Sequence, residues 1–470
     1  MAEKKLVVVT NREPYSHSKG RVEMAAGGVV TALDPIMRRN KGIWVAWGSG
    51  ESDRRFSDRD GTVKVPPDDP SYTLKRVWLT NRQMDNYYHG YSNRFLWPLC
   101  HIALNRIYLK TSYWKSYQKV NSIFADAIID VVGRKKATVW LHDYHLAICA
   151  QYIKEKRPKL PTSIFWHIPW PPYDVFRICP QRKEILTGML ANDFVCFQID
   201  SFSENFMECA NAELGADIDY RNGVVLYKGH ATSVRAVPIS VDFEWFERKA
   251  SSKKEARIVK RFMKLLRIEP GLAIGLGVDR LDYTKGLIKR LDMLDLFFAK
   301  YPRFRRKFSF VQVAVPTRNV EPFLSYRKGV ERRVQLINKR YGDERWNPII
   351  YLDVKMDQER LSALYRIADI AIISSIYDGM NLVAKEYLAS QVDETGVLLL
   401  SEFAGAAEEI PGAVLINPYD TEGCADEVKR ALDRPLRDRV AAMRMAREYV
   451  RENDIFRWVN DIVDEIQSIG

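Results

Sequence analysis

The sequence predicts an α/β protein made of two Rossmann-like domains facing across a cleft, and three observations carry that reading. Short β-branched runs alternate with longer amphipathic stretches along the whole chain, the pattern of parallel βαβ units. Nine such runs are more than one sheet holds comfortably. A length of 470 residues is enough for two or three domains at the usual roughly 100–200 residues each.

The first strand is expected at Leu6–Thr10, where β-branched residues suit a pleated, buried surface. Lys4 and Lys5 precede it and Asn11-Arg12 stop it, so the apolar run is too short for a signal peptide and a cytoplasmic location is expected. Further strands are expected at Thr138–Leu141, Ser163–Trp166, Phe194–Gln198, Ala273–Leu276, Phe308–Val315, Ile349–Leu352, Ile370–Ser374 and Val397–Ser401. Between them, Leu361, Leu364 and Ile367 lie at helical spacing in a segment opened by Asp357, and Val320 to Arg340 reads as a long charged helix. Pro238 interrupts an extended run ahead of a basic helix, which sets the domains at 1–240 and 241–470. Leu436 to Ile469 reads as two helices, a tail able to pack back on the first domain.

A content of 46% hydrophobic, 28% charged and 11% aromatic residues excludes disorder and collagen. The longest uncharged apolar runs, such as Ile370–Tyr377, are strand-sized, so no membrane partner is expected. Six cysteines without a CxxC pair or a zinc-ligand spacing read as reduced core residues, and no metal or other cofactor is expected. Lys and Arg number 72 against 60 Asp and Glu, a net +12 that asks for an anionic partner. With no run of five or six basic residues and no nucleic-acid-binding signature, small phosphorylated ligands are preferred to nucleic acid.

Ligands of open α/β sheets bind beyond the carboxyl ends of strands, so the residues there are the candidates. Arg12 follows the first strand, and Gly27-Gly28 opens a helix whose N–H groups suit a phosphate. Trp44, Trp47, Tyr87-Tyr88 and Trp97-Pro98 offer aromatic faces for a sugar or form core. Asp143, within His142-Asp143-Tyr144-His145, and His167 follow two strands; Asp143 suits hydroxyl contact or a helix cap equally. Arg280 to Gly286 holds two cations, Arg280 and Lys285, a clamp for a diphosphate unless Asp279 or Asp282 takes Arg280. Arg280 stands where a dinucleotide fingerprint starting at Gly275 needs its third glycine, which argues against a dehydrogenase. The stretch Asp378, Gly379, Met380, Asn381, Leu382, Val383 to Glu386 offers a tight turn, helix-start N–H groups from Met380 to Val383, and two carboxylates for the ends of a nucleotide-sugar.

Taken together and in order, these motifs, with Pro316-Thr317-Arg318, resemble the trehalose-6-phosphate synthases over nearly the whole chain. The resemblance implies a retaining glucosyltransferase of the two-Rossmann GT-B fold, with a nucleotide-glucose, UDP-glucose first, as donor and glucose 6-phosphate as acceptor. It implies that Arg12, Tyr88, Trp97 and Arg318 hold the acceptor phosphate while Trp44 and Asp143 line its sugar. It places the donor diphosphate on Gly28, Arg280 and Lys285, the donor glucose on His167 and Asp378, and the ribose on Glu386. It implies a front-face route in which the leaving diphosphate takes the acceptor's proton. Ala46 stands where the family has glycine, so a glucosylglycerol-phosphate synthase using glycerol 3-phosphate stays open, as do a silent sugar-phosphate sensor, a basic nucleic-acid binder and a homo-oligomeric state.

Overall fold

A computed structural model of the chain describes residues 5–18, 21–24, 28–266, 268–269, 271–316 and 321–469. It divides into two units, residues 1–238 with 458–470, and residues 239–457. The strands of the first unit are β1 (Lys5–Arg12), β2 (Tyr15–Ser18), β3 (Arg21–Met24), β4 (Ile43–Trp47), β5 (Thr62–Val65), β6 (Tyr72–Val77), β7 (Ala137–His142), β8 (Thr162–Phe165), β9 (Phe194–Phe197), β10 (Asp217–Asp219), β11 (Val224–Tyr227) and β12 (His230–Ala236). All but the β2–β3 hairpin join one sheet, ordered β10-β11-β12-β9-β8-β7-β1-β4-β6-β5. Its seven inner strands, β12 to β6 in that order, are parallel. Val7, Val8 and Val9 of β1 are wholly buried, as a strand covered on both faces requires.

The second unit carries β13 (Ala273–Arg280), β14 (Phe308–Val315), β15 (Ile349–Leu352), β16 (Ile370–Ile373), β17 (Val397–Ser401) and β18 (Val414–Ile416). All are parallel, in the order β15-β14-β13-β16-β17-β18. Counted along the chain this is 3-2-1-4-5-6, the doubly wound order, and the inner strands of the first unit repeat it. The strand order therefore reverses between β1 and β7 in the first unit and between β13 and β16 in the second, and both places are where ligands of this architecture bind.

The nine expected strands all form. Pairing of β13 with β14 continues to Arg280, so Arg280 is a strand's last residue and not part of the loop. Asp357 opens its helix by accepting from Arg360 N at 2.8 Å, and the tail forms helices Leu436–Glu452 and Ile455–Ile469. In the latter, Trp458 is buried among residues of the first unit: its indole N–H reaches Val237 O at 3.1 Å, and its ring lies 5.4 Å from Trp140 and 5.1 Å from Phe165. Among the described residues no helix is long and apolar enough to cross a membrane.

Candidate active site

In the second unit, β13 delivers Arg280 exposed at its carboxyl end. The chain then makes a tight turn over Tyr283–Lys285 and enters the helix Leu287–Lys300 through Gly286 at φ +65°. A Cβ on Gly286 would collide with the carbonyl of Ser374, so glycine is required on both counts. Ser374 Oγ donates to Gly286 O at 3.2 Å and Ile376 N to Thr284 O at 2.8 Å, which knits the loops after β13 and β16 together. Lys285 Nζ lies 2.5 Å from Asp378 Oδ2, an oxygen that also accepts from Ser375 Oγ at 3.1 Å and Asn381 Nδ2 at 3.0 Å. Asp279, one of two carboxylates able to take Arg280, is instead engaged by the buried Arg290; Asp282 caps the turn by accepting from Thr284 N at 3.1 Å.

The helix after β16 runs Leu382–Ser390, with Asn381 as cap accepting from Ala384 N at 3.1 Å. The helix thus starts two residues after Met380, because the Asn381 side chain caps it and leaves Met380, 4% exposed, in the turn before it. Gly379 is buried in the turn. Glu386, one turn into the helix, accepts from Tyr365 OH at 2.7 Å. Burial pushes its carboxyl up to about 7, against the opposing pull of that hydrogen bond.

In the first unit, β1 delivers Arg12, whose guanidinium donates to Tyr88 OH at 2.8 Å. Tyr88 sits in a wide π-type helical stretch, Asp85–Leu96, a conformation frequent at functional sites. Its ring stacks on His145 with centroids 5.4 Å apart. Its neighbour Tyr87 turns inward and donates to Asn11 Oδ1 at 2.9 Å. Trp97 stacks on His101 at 4.1 Å and is only 5% exposed, so little of its surface is open to a ligand.

Trp44 is a correction. It is wholly buried in β4, and its indole N–H donates to Thr10 Oγ1 at 2.8 Å, whose hydroxyl in turn donates to Arg12 O at 2.6 Å. It therefore holds the backbone at Arg12 and lines no sugar; Trp47, partly exposed at the end of the same strand and paired in register with Arg12, is the indole at the surface.

After β7 comes Asp143 at φ +75°, an uncommon conformation for a residue with a side chain, here at a sheet's switch point. Its carboxylate accepts from Tyr144 N at 3.0 Å and His167 N at 3.3 Å, and lies 3.8 Å from His145 Nδ1. It is thus a cap at the sheet's switch point. His167, after β8, shares a hydrogen bond of 3.1 Å with His142. Burial drives His167 down to about 3 and His142 well below its ordinary value, so both rings are neutral. His167 can then bond an uncharged hydroxyl but carries no proton for a leaving group at neutral pH. Among the described residues no three His, Cys, Asp or Glu gather as a metal would need. Gly28 begins the helix Gly28–Asn40, while Gly27 and Arg318 lie outside the described residues.

Contacts thus run continuously from Arg12 through Tyr88, His145 and Asp143 to His167 in the first unit, and from Lys285 through Asp378 to the helix of Glu386 in the second. Tyr365 and Ser375 went unread in the sequence, which carries no signal for either, while Trp47 was read only as one of several aromatic faces that suit a sugar or the core.

Two doubly wound units each gather charged side chains at the switch point where ligands of this architecture bind. The chain matches the model of Glycosyltransferase family 20 over residues 2–468 and belongs to that family. It is 35% identical over 470 residues to alpha,alpha-trehalose-phosphate synthase [UDP-forming] A of Dictyostelium discoideum, an alignment covering 99% of this chain and 62% of that protein. The chain thus spans less than two thirds of that relative's length. It is 36% identical over 475 residues to the trehalose-6-phosphate synthase of Mycobacterium leprae, covering 98% and 94%. Among solved structures, it resembles an alpha,alpha-trehalose-phosphate synthase (UDP-forming) from Burkholderia xenovorans in complex with glucose-6-phosphate, with TM-score 0.88, 30% identity, and coverage of 98% of this chain and 100% of that one.

Proposed function

We propose that the chain moves glucose from a nucleotide-glucose, UDP-glucose foremost, to the anomeric hydroxyl of glucose 6-phosphate, releasing the nucleoside diphosphate and α,α-trehalose 6-phosphate with configuration retained. The observation that carries this reading is the contact of Lys285 with Asp378 on two interlocked loops beside Glu386. One cation suits a diphosphate, one carboxylate a sugar hydroxyl, and a half-buried carboxylate a ribose diol. On donor binding the diphosphate takes Lys285, and Asp378 turns to the hydroxyls of glucose. Leu382 and Val383, with the turn Gly379 to Asn381, supply backbone and shape, and Gly28 a further N–H.

The step breaks the bond between C1 and the phosphate oxygen, forms the bond from C1 to the acceptor oxygen, and passes the acceptor's proton to the departing phosphate oxygen. Arg280 and Lys285 offset the charge that develops there. Neutral His167 holds a donor hydroxyl, Asp143 orients the acceptor sugar, and Arg12 and Tyr88, with Trp97 and Arg318, hold its phosphate. The carboxylates needed for a double displacement are already assigned to sugar contacts, which favours the front-face route. A cytoplasmic place fits six buried, unpaired cysteines.

The test incubates the purified protein with UDP-, ADP- and GDP-glucose against glucose 6-phosphate and glycerol 3-phosphate, follows diphosphate release and identifies the product by NMR. A 1,1-linked disaccharide phosphate made from UDP-glucose is expected. Release with glycerol 3-phosphate alone, or with neither acceptor, overturns the proposal.

A further inference from the structure

Behind Arg12 lies a charged cluster that the transfer chemistry does not use. Glu13, Asp53 and Arg76 are 3%, 0% and 1% exposed. Arg76 Nε donates to Glu13 Oε2 at 2.7 Å, and its other nitrogens reach Asp53 Oδ1 at 3.0 Å, Ser57 Oγ at 3.0 Å and Tyr15 O at 3.0 Å. Burying one cation with two carboxylates gains little stability over apolar packing, so its presence asks for another reason. The remaining lone pairs supply one. Glu13 Oε1 accepts from Ser49 N at 2.8 Å and Ser49 Oγ at 3.0 Å, while Asp53 accepts from Gly50 N at 2.5 Å and His17 N at 2.7 Å. Glu13 follows Arg12 directly, Ser49 and Gly50 follow Trp47, and β1 and β4 pair Arg12 with Trp47. Gly50 has no room for a side chain against His17 O and Asp53, so the loop is held close.

We infer that Glu13, Asp53 and Arg76 are positioning residues of the acceptor subsite, a buried clasp that fixes the strand ends bearing Arg12 and Trp47 and thereby sets affinity for the acceptor's phosphate. The inference rests on the reading of Arg12 as a phosphate ligand given above. The clasp is also sensitive to protons. Burial and the facing Asp53 push the Glu13 carboxyl up to about 7, while Asp53, despite its burial, is held low by Glu13, the His17 N–H and Arg76. Near neutrality Glu13 is therefore the group that gains or loses the proton between them. The other charged or titratable groups against the cluster do not titrate there: burial and Arg76 lower His17, and burial pushes Tyr15, which bonds Asp34 and Arg38, up to about 12. Loss of the Glu13 proton leaves two carboxylates on one guanidinium beside Arg12, which adds negative charge near a phosphate site.

Steady-state kinetics of UDP release at pH 6.5 to 8.5 test this, with wild type, Glu13→Gln and Glu13→Ala. Gln imitates protonated Glu13. Wild-type KM for glucose 6-phosphate should rise about fivefold or more across this range, with the KM for UDP-glucose unaffected by Glu13. The acceptor's own second proton leaves near pH 6 and would act in the opposite direction. Glu13→Gln should keep the low acceptor KM at every pH, and Glu13→Ala should raise it about tenfold throughout, as loss of a buried charged partner does. Identical acceptor profiles in wild type and Glu13→Gln, or donor and acceptor KM moving together in Glu13→Ala, overturn the inference. If wild type releases no UDP with glucose 6-phosphate, the functional reading fails and the positioning role falls with it; a working wild type with a silent Glu13 refutes the clasp alone.

Discussion

At the residue scale, the donor half turns on two groups whose environments differ. Arg280 is exposed at a strand's end, and its role as a preorganised cation predicts that Arg280→Ala lowers kcat about a hundredfold or more in initial-rate assays of UDP release. A change confined to KM would refute that role. Glu386 is held by Tyr365 and has its carboxyl raised to about 7. Accepting two ribose hydroxyls needs the ionised form, so donor binding releases a proton below that value. The KM for UDP-glucose should then fall about tenfold per pH unit approaching 7 from below and level off above it, and Glu386→Gln should remove the slope. A flat wild-type profile between pH 5.5 and 8.5 would sink the assignment.

At the scale of elements, the site is a product of where parallel strands stop. Gly286 shows how tightly: its positive φ and its approach to Ser374 predict that Gly286→Ala loses at least about 2 kcal/mol of stability by denaturant titration. The same variant should lose UDP binding by calorimetry, since the loop carrying Lys285 is fastened there. Wild-type UDP affinity in Gly286→Ala would show that the loops need no such fastening. Strand ends were the legible part of the sequence, because a β-branched run followed by polar residues marks itself, and Arg12, Asp143, His167, Arg280 and Asp378 were all found that way. The indole pair was not. Trp44 and Trp47 share one short aromatic run, and only the fold shows that Trp44 faces the core against Thr10 while Trp47 stands at the rim. Buried charge was equally hidden: Glu13, Asp53 and Arg76 are spread over 64 positions of chain and read singly as solvated surface, as do Lys385 and Glu409, which meet at 2.6 Å in the core.

At the scale of the molecule, the proposed acceptor residues Arg12, Tyr88, Trp97 and Asp143 belong to one unit and the loops of Arg280 and Asp378 to the other. Hydrogen exchange should therefore show glucose 6-phosphate protecting segments around Arg12 and Tyr88, and UDP protecting 280–286 and 374–390; UDP protection confined to the first unit would contradict the assignment. Stability carries a further signature. Because Glu386 has a raised carboxyl in the folded state, its contribution is complete below about 4.5 and is lost as pH rises through about 7. The difference in unfolding free energy between wild type and Glu386→Gln should thus move against wild type by at most about 3 kcal/mol from pH 4.5 to 8. The helix Ile455–Ile469 has one more consequence. With Trp458 seated on Trp140 and Phe165, the first unit is built from two stretches of chain separated by residues 239–457. During synthesis, everything from 239 to 457 emerges before Trp458 does, so the second unit is free to fold while the core of the first still waits for the indole that covers Trp140, and Trp458→Ala would leave Trp140 uncovered.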